Sequence, residues 1–148
     1  MKTIIRILIL AAAVFATASL RSEPVTLTRT EAFELHAALT DLSNGLSPDN
    51  IFIVADDINA LDVTAKTYRA AVSKILQLQQ TVNASPTPEN IASFRAEDAK
   101  LAAAAEEKKV YELKMPELTK DEVKAAKISA TQLATIKRLL KPSAPNPK

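Results

Sequence analysis

"PDNIFIVADDINALDVTAKTYRAAVSKILQLQQTVNA", residues 48–84, has no glycine and no proline after its first position, and its reading decides the fold. Ile51, Ile58, Ala65, Val72 and Gln79 recur every seven residues, and so do Val54, Leu61, Tyr68, Ile75 and Val82. Two such series, offset by three and four, place one apolar seam along a helix. Ser47 is a good N-cap, Pro48 suits the first helical position, and Asp49 complements the positive end of the helix dipole. A helix from Pro48 to about Ala84 would be about 55 Å long, well beyond an ordinary globular helix. Gln79 is a polar interruption that either sets register or marks a fraying end of the seam.

Within that stretch, "DDINALD", residues 56–62, alternates acidic and amide side chains in the manner of a calcium loop. Such a loop needs oxygen ligands at its first, third and fifth positions, glycine at the sixth and a bidentate glutamate at the twelfth. Counted from Asp57, those last three positions hold Leu61, Asp62 and Tyr68. Ile58 and Leu61 belong to the seam, and Asp56, Asn59 and Asp62 are expected on the opposite, wet side of the helix, with Asp62 one turn from Lys66. No metal site is expected.

The rest of the composition agrees with a helical chain. In 148 residues, 47% are hydrophobic, 24% are charged and one is glycine, which disfavours tight hairpins and glycine-rich phosphate loops. The absence of cysteine removes disulfides, thiolate zinc sites and thiol nucleophiles together. "MKTIIRILILAAAVFATAS" opens with Lys2 and Arg6, continues as an apolar run and ends on Ala16-Thr17-Ala18. These are the parts of a secretory signal peptide cut after Ala18, which places the protein in the periplasm or outside the cell. The run is too short for an ordinary spanning helix, and a membrane would be a partner only if the segment stayed uncleaved.

Cleavage removes two of the 19 basic residues and none of the 17 acidic ones, so the remainder is neutral and nucleic acid is not an expected partner. The charges are nevertheless segregated. Charged residues from Glu31 to Asp62 are all acidic, whereas Lys120 to Lys148 holds seven basic residues against Asp121 and Glu122.

Outward from the long helix, further boundaries follow from local chemistry. Thr28 and Glu31 form a capping box after the extended segment at 19–27, and Ala32, Leu35, Leu39 and Leu42 make the apolar stripe of a first helix. Asn44-Gly45 is expected to end it with a left-handed residue. Thr87 and Pro88 start a third helix, running to about Lys109 with Ile91, Phe94, Leu101 and Ala105 inward. "VYELKM", residues 110–115, alternates as a short strand. Thr119 with Glu122 and Ser129 with Gln132 are capping boxes for two short helices, the second ending at Pro142 before a flexible tail at 142–148.

The fold class expected is therefore mainly α: a long heptad-patterned helix with shorter antiparallel helices along it, all within a helical domain at 28–141. The first and third helices together match the second in length, so each should cover half of it. That arrangement would bring "VTLT" at 25–28 and "VYELKM" together as a two-stranded patch.

Catalytic groups are not advertised. His36 has no second histidine or cysteine, and its one-turn neighbours Ala32 and Thr40 cannot complete a helical metal pair. Asp56-Asp57 and Glu106-Glu107 are adjacent pairs that diverge around a helix. Tyr68 is expected in the core with its hydroxyl at the edge. No catalytic, metal or cofactor-binding residue is assigned and no cofactor is expected.

"LTRTEAFELHAALTDL", the long helix, "VYELKMPEL" and "ISATQLATIKRLL" resemble, in order and character, small helical proteins encoded by tailed phages and prophages. The resemblance implies a virion-assembly or accessory role, with translation starting near Val25. The leading expectation from the residues themselves is an exported, non-catalytic interaction or scaffold protein. It would bind a protein partner or itself through the coiled-coil-like seam. An enzyme would need a pocket that the sequence does not announce.

Overall fold

The structure, a computed structural model, describes residues 23–114 and 116–140. The expected signal peptide at 1–18 and the tail at 142–148 lie outside the described residues. The chain runs through β1 (Glu23–Thr28), α1 (Arg29–Leu42), a 3-10 turn (Ser43–Gly45), α2 (Pro48–Ala84), α3 (Pro88–Ala105), β2 (Lys108–Leu113), α4 (Lys120–Ala125) and α5 (Ala130–Leu139). The long helix has the bounds that proline, cap and seam predict.

α2 organises everything else. α1 packs along its first half and α3 along its second, while α5 lies on α1 and α4 sits against the 3-10 turn. α1 starts at the Thr28–Glu31 capping box, both of whose reciprocal hydrogen bonds form, and buries Ala32, Leu35, Ala38, Leu39 and Leu42. β1 and β2 pair antiparallel with Val25 opposite Tyr111 and Leu27 opposite Lys109. The expected two-stranded patch is therefore present. Val25, Leu27, Tyr111 and Leu113 face the core, and Thr26, Val110 and Glu112 alternate outward.

The core gathers these strand residues with the α1 stripe, Val54 and Leu61 of α2, and Ile136, Leu139 and Leu140 at the end of the described chain. Leu27, Leu35, Leu39, Leu42, Leu61 and Leu113 are fully buried, each worth about 2 kcal/mol relative to exposure. The interior is small because α3 contributes no buried residue at all.

Several boundaries differ from the sequence expectations, each for a visible reason. α3 stops at Ala105 rather than Lys109, because the Glu107 carbonyl accepts the Arg29 amide at 3.1 Å and the chain is drawn into β2 from Lys108. β2 therefore starts two residues before Val110 and ends at Leu113. α5 ends at Leu139, short of Pro142, with the Leu140 amide still bonded to the Ile136 carbonyl.

Gly45 is not left-handed; the positive φ among the described residues belongs to Lys127, at 55°, in the turn between α4 and α5. Glycine is needed at 45 for space. A Cβ there would lie 2.1 Å from the Ala126 backbone nitrogen and 2.5 Å from its Cα.

Because both sides of that contact are backbone, no side-chain rotation relieves it. Gly45→Ala is expected to destabilise the protein by about 3 kcal/mol, the upper range for overpacking. Urea denaturation measures this, and an unchanged midpoint would refute the contact.

Candidate functional site

The seam residues of α2 meet different fates along its length. Val54, Leu61 and Ala65 are buried, and Ile58 is half-buried against the core. Ile51 is 39% exposed, contrary to its expected packing role. The cause is rotational drift: a straight helix slips about 20° per heptad, so one series begins at the edge of the buried face while the other begins near its centre. Past Ala65 the seam thins. Tyr68, Val72, Ile75 and Val82 are half-buried and Gln79 is exposed.

Tyr68 marks the joint where the covering changes hands. The Thr30 hydroxyl lies 3.3 Å from the Tyr68 hydroxyl and 3.5 Å from the Ala105 carbonyl, joining the start of α1 to the end of α3. Phe33 packs on the Tyr68 ring with centroids 5.4 Å apart, and Arg69 lies over Phe33. Tyr68 is half-buried and outside the core cluster, contrary to its expected core position, because only the start of α1 and the end of α3 cover this turn of α2. Beyond this joint the rest of α2 and α3 form a two-helix arm in which no described residue is buried. Glu97 ties α3 to α2 through Lys74 at 2.9 Å and pairs within α3 with Lys100 at 2.8 Å, and these partners, Lys100 foremost, pull its pKa down to about 2. Leu76 stands 53% exposed on the arm.

The acids of "DDINALD" divide. Asp56 and Asn59 face solvent, and Asp62 pairs with Lys66 at 2.7 Å as expected. Asp57 does not follow them. It is 1% exposed, with one carboxylate oxygen accepting the Lys114 amide at 2.8 Å and the other unbonded. Burial outweighs that hydrogen bond and raises its pKa to about 6. The signal for this was present in the sequence: Asp57 is three residues after Val54 and four before Leu61, the spacing of a core position. Next to it, Lys114 pairs with Asp56 at 2.7 Å and closes the surface.

His36 also turns inward. Its side chain is 12% exposed, and Nε2 is 3.6 Å from the Asp62 carboxylate, too long for a hydrogen bond. Burial holds its pKa below 6.5 against the pull of Asp62. Neither ring nitrogen has a hydrogen-bond partner among the described residues. Among the described residues, no group of three or more His, Cys, Asp or Glu could hold a metal ion, and no helix is long and apolar enough to cross a membrane.

Glu122 has a larger role than its capping box implied. Besides closing the box with Thr119, its carboxylate accepts the Ser47 amide at 2.9 Å, the Ser47 hydroxyl at 2.6 Å and the Asn50 side chain at 3.0 Å. Ser47 is the N-cap by position, but its hydroxyl serves Glu122 rather than its own helix. One buried carboxylate thus joins the N-termini of α2 and α4, where both helix dipoles favour negative charge. These donors, the Ser47 hydroxyl first, hold Glu122 well below the usual carboxylate range.

Several clefts open among the described residues. One of about 280 Å³ lies where β2 crosses α2; the paired Arg29 and Glu107 line it, and the Tyr111 hydroxyl donates to Thr64 at 2.7 Å. Another is an apolar groove between the approach to α4 and α5, lined by Leu118, Val123 and Leu133 beside Lys120, Lys124 and Lys137. Sequence reasoning missed this groove, because its walls meet only in the tertiary structure.

With the geometry in hand, the class is a mainly helical protein built on one long helix with a minor antiparallel ribbon. No family model, curated protein or solved structure matches the chain.

Asp57 makes stability fall as pH rises. Its carboxyl ionises near 3.8 in the unfolded chain and near 6 in the folded one, so the protonated form is preferred on folding. Its contribution is fully present below pH 3.8 and declines by roughly 3 kcal/mol through pH 6. His36 acts oppositely, its depressed pKa costing stability as pH falls below 6.5. Comparing denaturation of Asp57→Asn with the parent protein isolates the aspartate: the variant's relative stability is expected to grow from pH 4 to pH 7. A difference that stays flat would show that Asp57 does not titrate as described.

Proposed function

We propose that the protein is an exported, non-catalytic interaction or scaffold protein that binds a protein partner, or a second copy, through its two-helix arm. The observation that supports this reading is the change along α2, which is buried at Val54, Leu61 and Ala65 and only half-covered beyond Tyr68. A helical hairpin with one seam gains little from its own packing, since helix stability in water comes chiefly from burying an apolar face. A partner helix laid against Leu76 and the flanks of the arm would bury more of that surface, in the manner of helix recognition by a groove.

The carboxylate with a raised pKa, Asp57, is sealed from solvent and cannot reach a substrate as placed. An enzyme reading would require it to become accessible. A phage-type cytoplasmic assembly protein starting near Val25 is the second reading; such a start would keep the ribbon pairs from Val25–Tyr111 onward and lose those of Glu23 and Pro24.

The intact mass of the protein from fractionated native cells separates these two. Export predicts a periplasmic or secreted species beginning near Ser19, and the phage-type reading predicts a cytosolic species beginning near Val25.

Ile58→Asp tests the body and Leu76→Glu tests the arm. Ile58 packs against the core, so the first change should unfold the protein. The second should leave far-ultraviolet circular dichroism intact and weaken pull-down of the native partner at least about tenfold, as for an interface anchor. Unchanged partner recovery by folded Leu76→Glu would remove the arm from the mechanism.

A further inference from the structure

The most exposed large apolar side chain and the lysine-rimmed groove are chemically matched, and neither belongs to the arm. Phe52 is 73% exposed on the second turn of α2. Asp49 precedes it by three residues and Asp56 follows by four, so an exposed carboxylate stands one turn to either side. Asp56 is paired with Lys114, whereas Asp49 has no ion-pair partner among the described residues.

The groove presents the opposite character. Its apolar floor occupies about 440 Å³ beside Leu118, Val123 and Leu133, and a further 160 Å³ continues past Leu118 and Lys137 to Ile136 and Leu140. Lys120, Lys124 and Lys137 line it, with Asp121 as the one acid. None of the three lysines has an ion-pair partner among the described residues, although the adjacent Arg138 is within reach of Glu31 and Glu34.

Residues 1–22 and 141–148 contain lysine and arginine but no acid, so neither segment complements this rim by charge. Nor does Phe52 fill the groove of its own molecule. Asn50 faces the approach to α4, donating to the Glu117 carbonyl at 3.0 Å, and Phe52 lies about 200° further round the helix. We infer that Phe52 of one copy docks in the Leu118–Leu133 groove of a second copy, with Asp49 meeting the lysines at its rim. A two-fold axis would make the contact reciprocal and close a dimer, and any other arrangement would make it heterologous. It leaves the arm free and would display several arms on one assembly.

Sedimentation equilibrium of the full chain, Phe52→Ser and the double variant Lys124→Glu/Lys137→Glu tests this, with circular dichroism confirming that each is folded. The parent protein is expected to grow in mass with concentration and to shrink with added salt. Each variant alone should associate at least about tenfold more weakly, the loss expected of an anchor residue. A mixture of the two should form a one-to-one complex, because one supplies the groove and the other the knob. A parent protein that stays monomeric, or a mixture that does not combine, overturns the inference. Association that survives Phe52→Ser but is lost in Leu76→Glu also overturns it and assigns self-association to the arm. Dodecanoate binding by a monomeric parent protein, lost in the double lysine variant, overturns it in favour of an anionic amphiphile.

Discussion

An apolar stripe about 55 Å long has to be covered, and no other described element reaches half the length of α2. This mismatch dictates the rest of the molecule. Two helices must share the task, and they must approach from opposite ends because each is joined to α2 by a short turn. Their far ends then meet near Tyr68, and the chain segments beyond those ends, β1 and β2, are brought side by side. The ribbon is thus a consequence of helix lengths, and it caps the joint that those lengths create.

Sharing is unequal. α1 is backed by α5 and the ribbon, so its contact with α2 becomes a true interior. α3 has only α2 behind it along most of its length, and its apolar residues remain half-wet. The molecule consists of a packed body and a projecting arm made from the same uninterrupted helix. That division, rather than any cluster of reactive groups, underlies the functional reading.

The buried polar groups are concentrated where the body is fastened. Glu122 replaces water with donors from two helix starts and so ties α4 to the beginning of α2. Asp57 holds the chain leaving β2 through the Lys114 amide, at the cost of one unsatisfied oxygen. Gly45 permits the close backbone crossing beside Ala126 that lets α4 reach Glu122's partners. These fastenings are all between residues distant in sequence.

Local chemistry determined most of the elements. Three capping boxes, at Thr28, Thr119 and Ser129, and the prolines at 48 and 88 act over a few residues, so helix starts could be read directly. The helix lengths also implied the ribbon. Helix ends were less legible, because α3 is terminated by strand pairing and Gly45 is required by Ala126 rather than by its own φ. Depth of burial was not legible either. A heptad pattern names one face of α2, but whether Leu61 is core and Gln79 is wet depends on how many further layers lie over that face, which only the tertiary structure decides. The same holds for Asp57, whose spacing placed it inward although its charge argued outward. Packing of the ribbon and Lys114 over that turn of α2 settled the conflict.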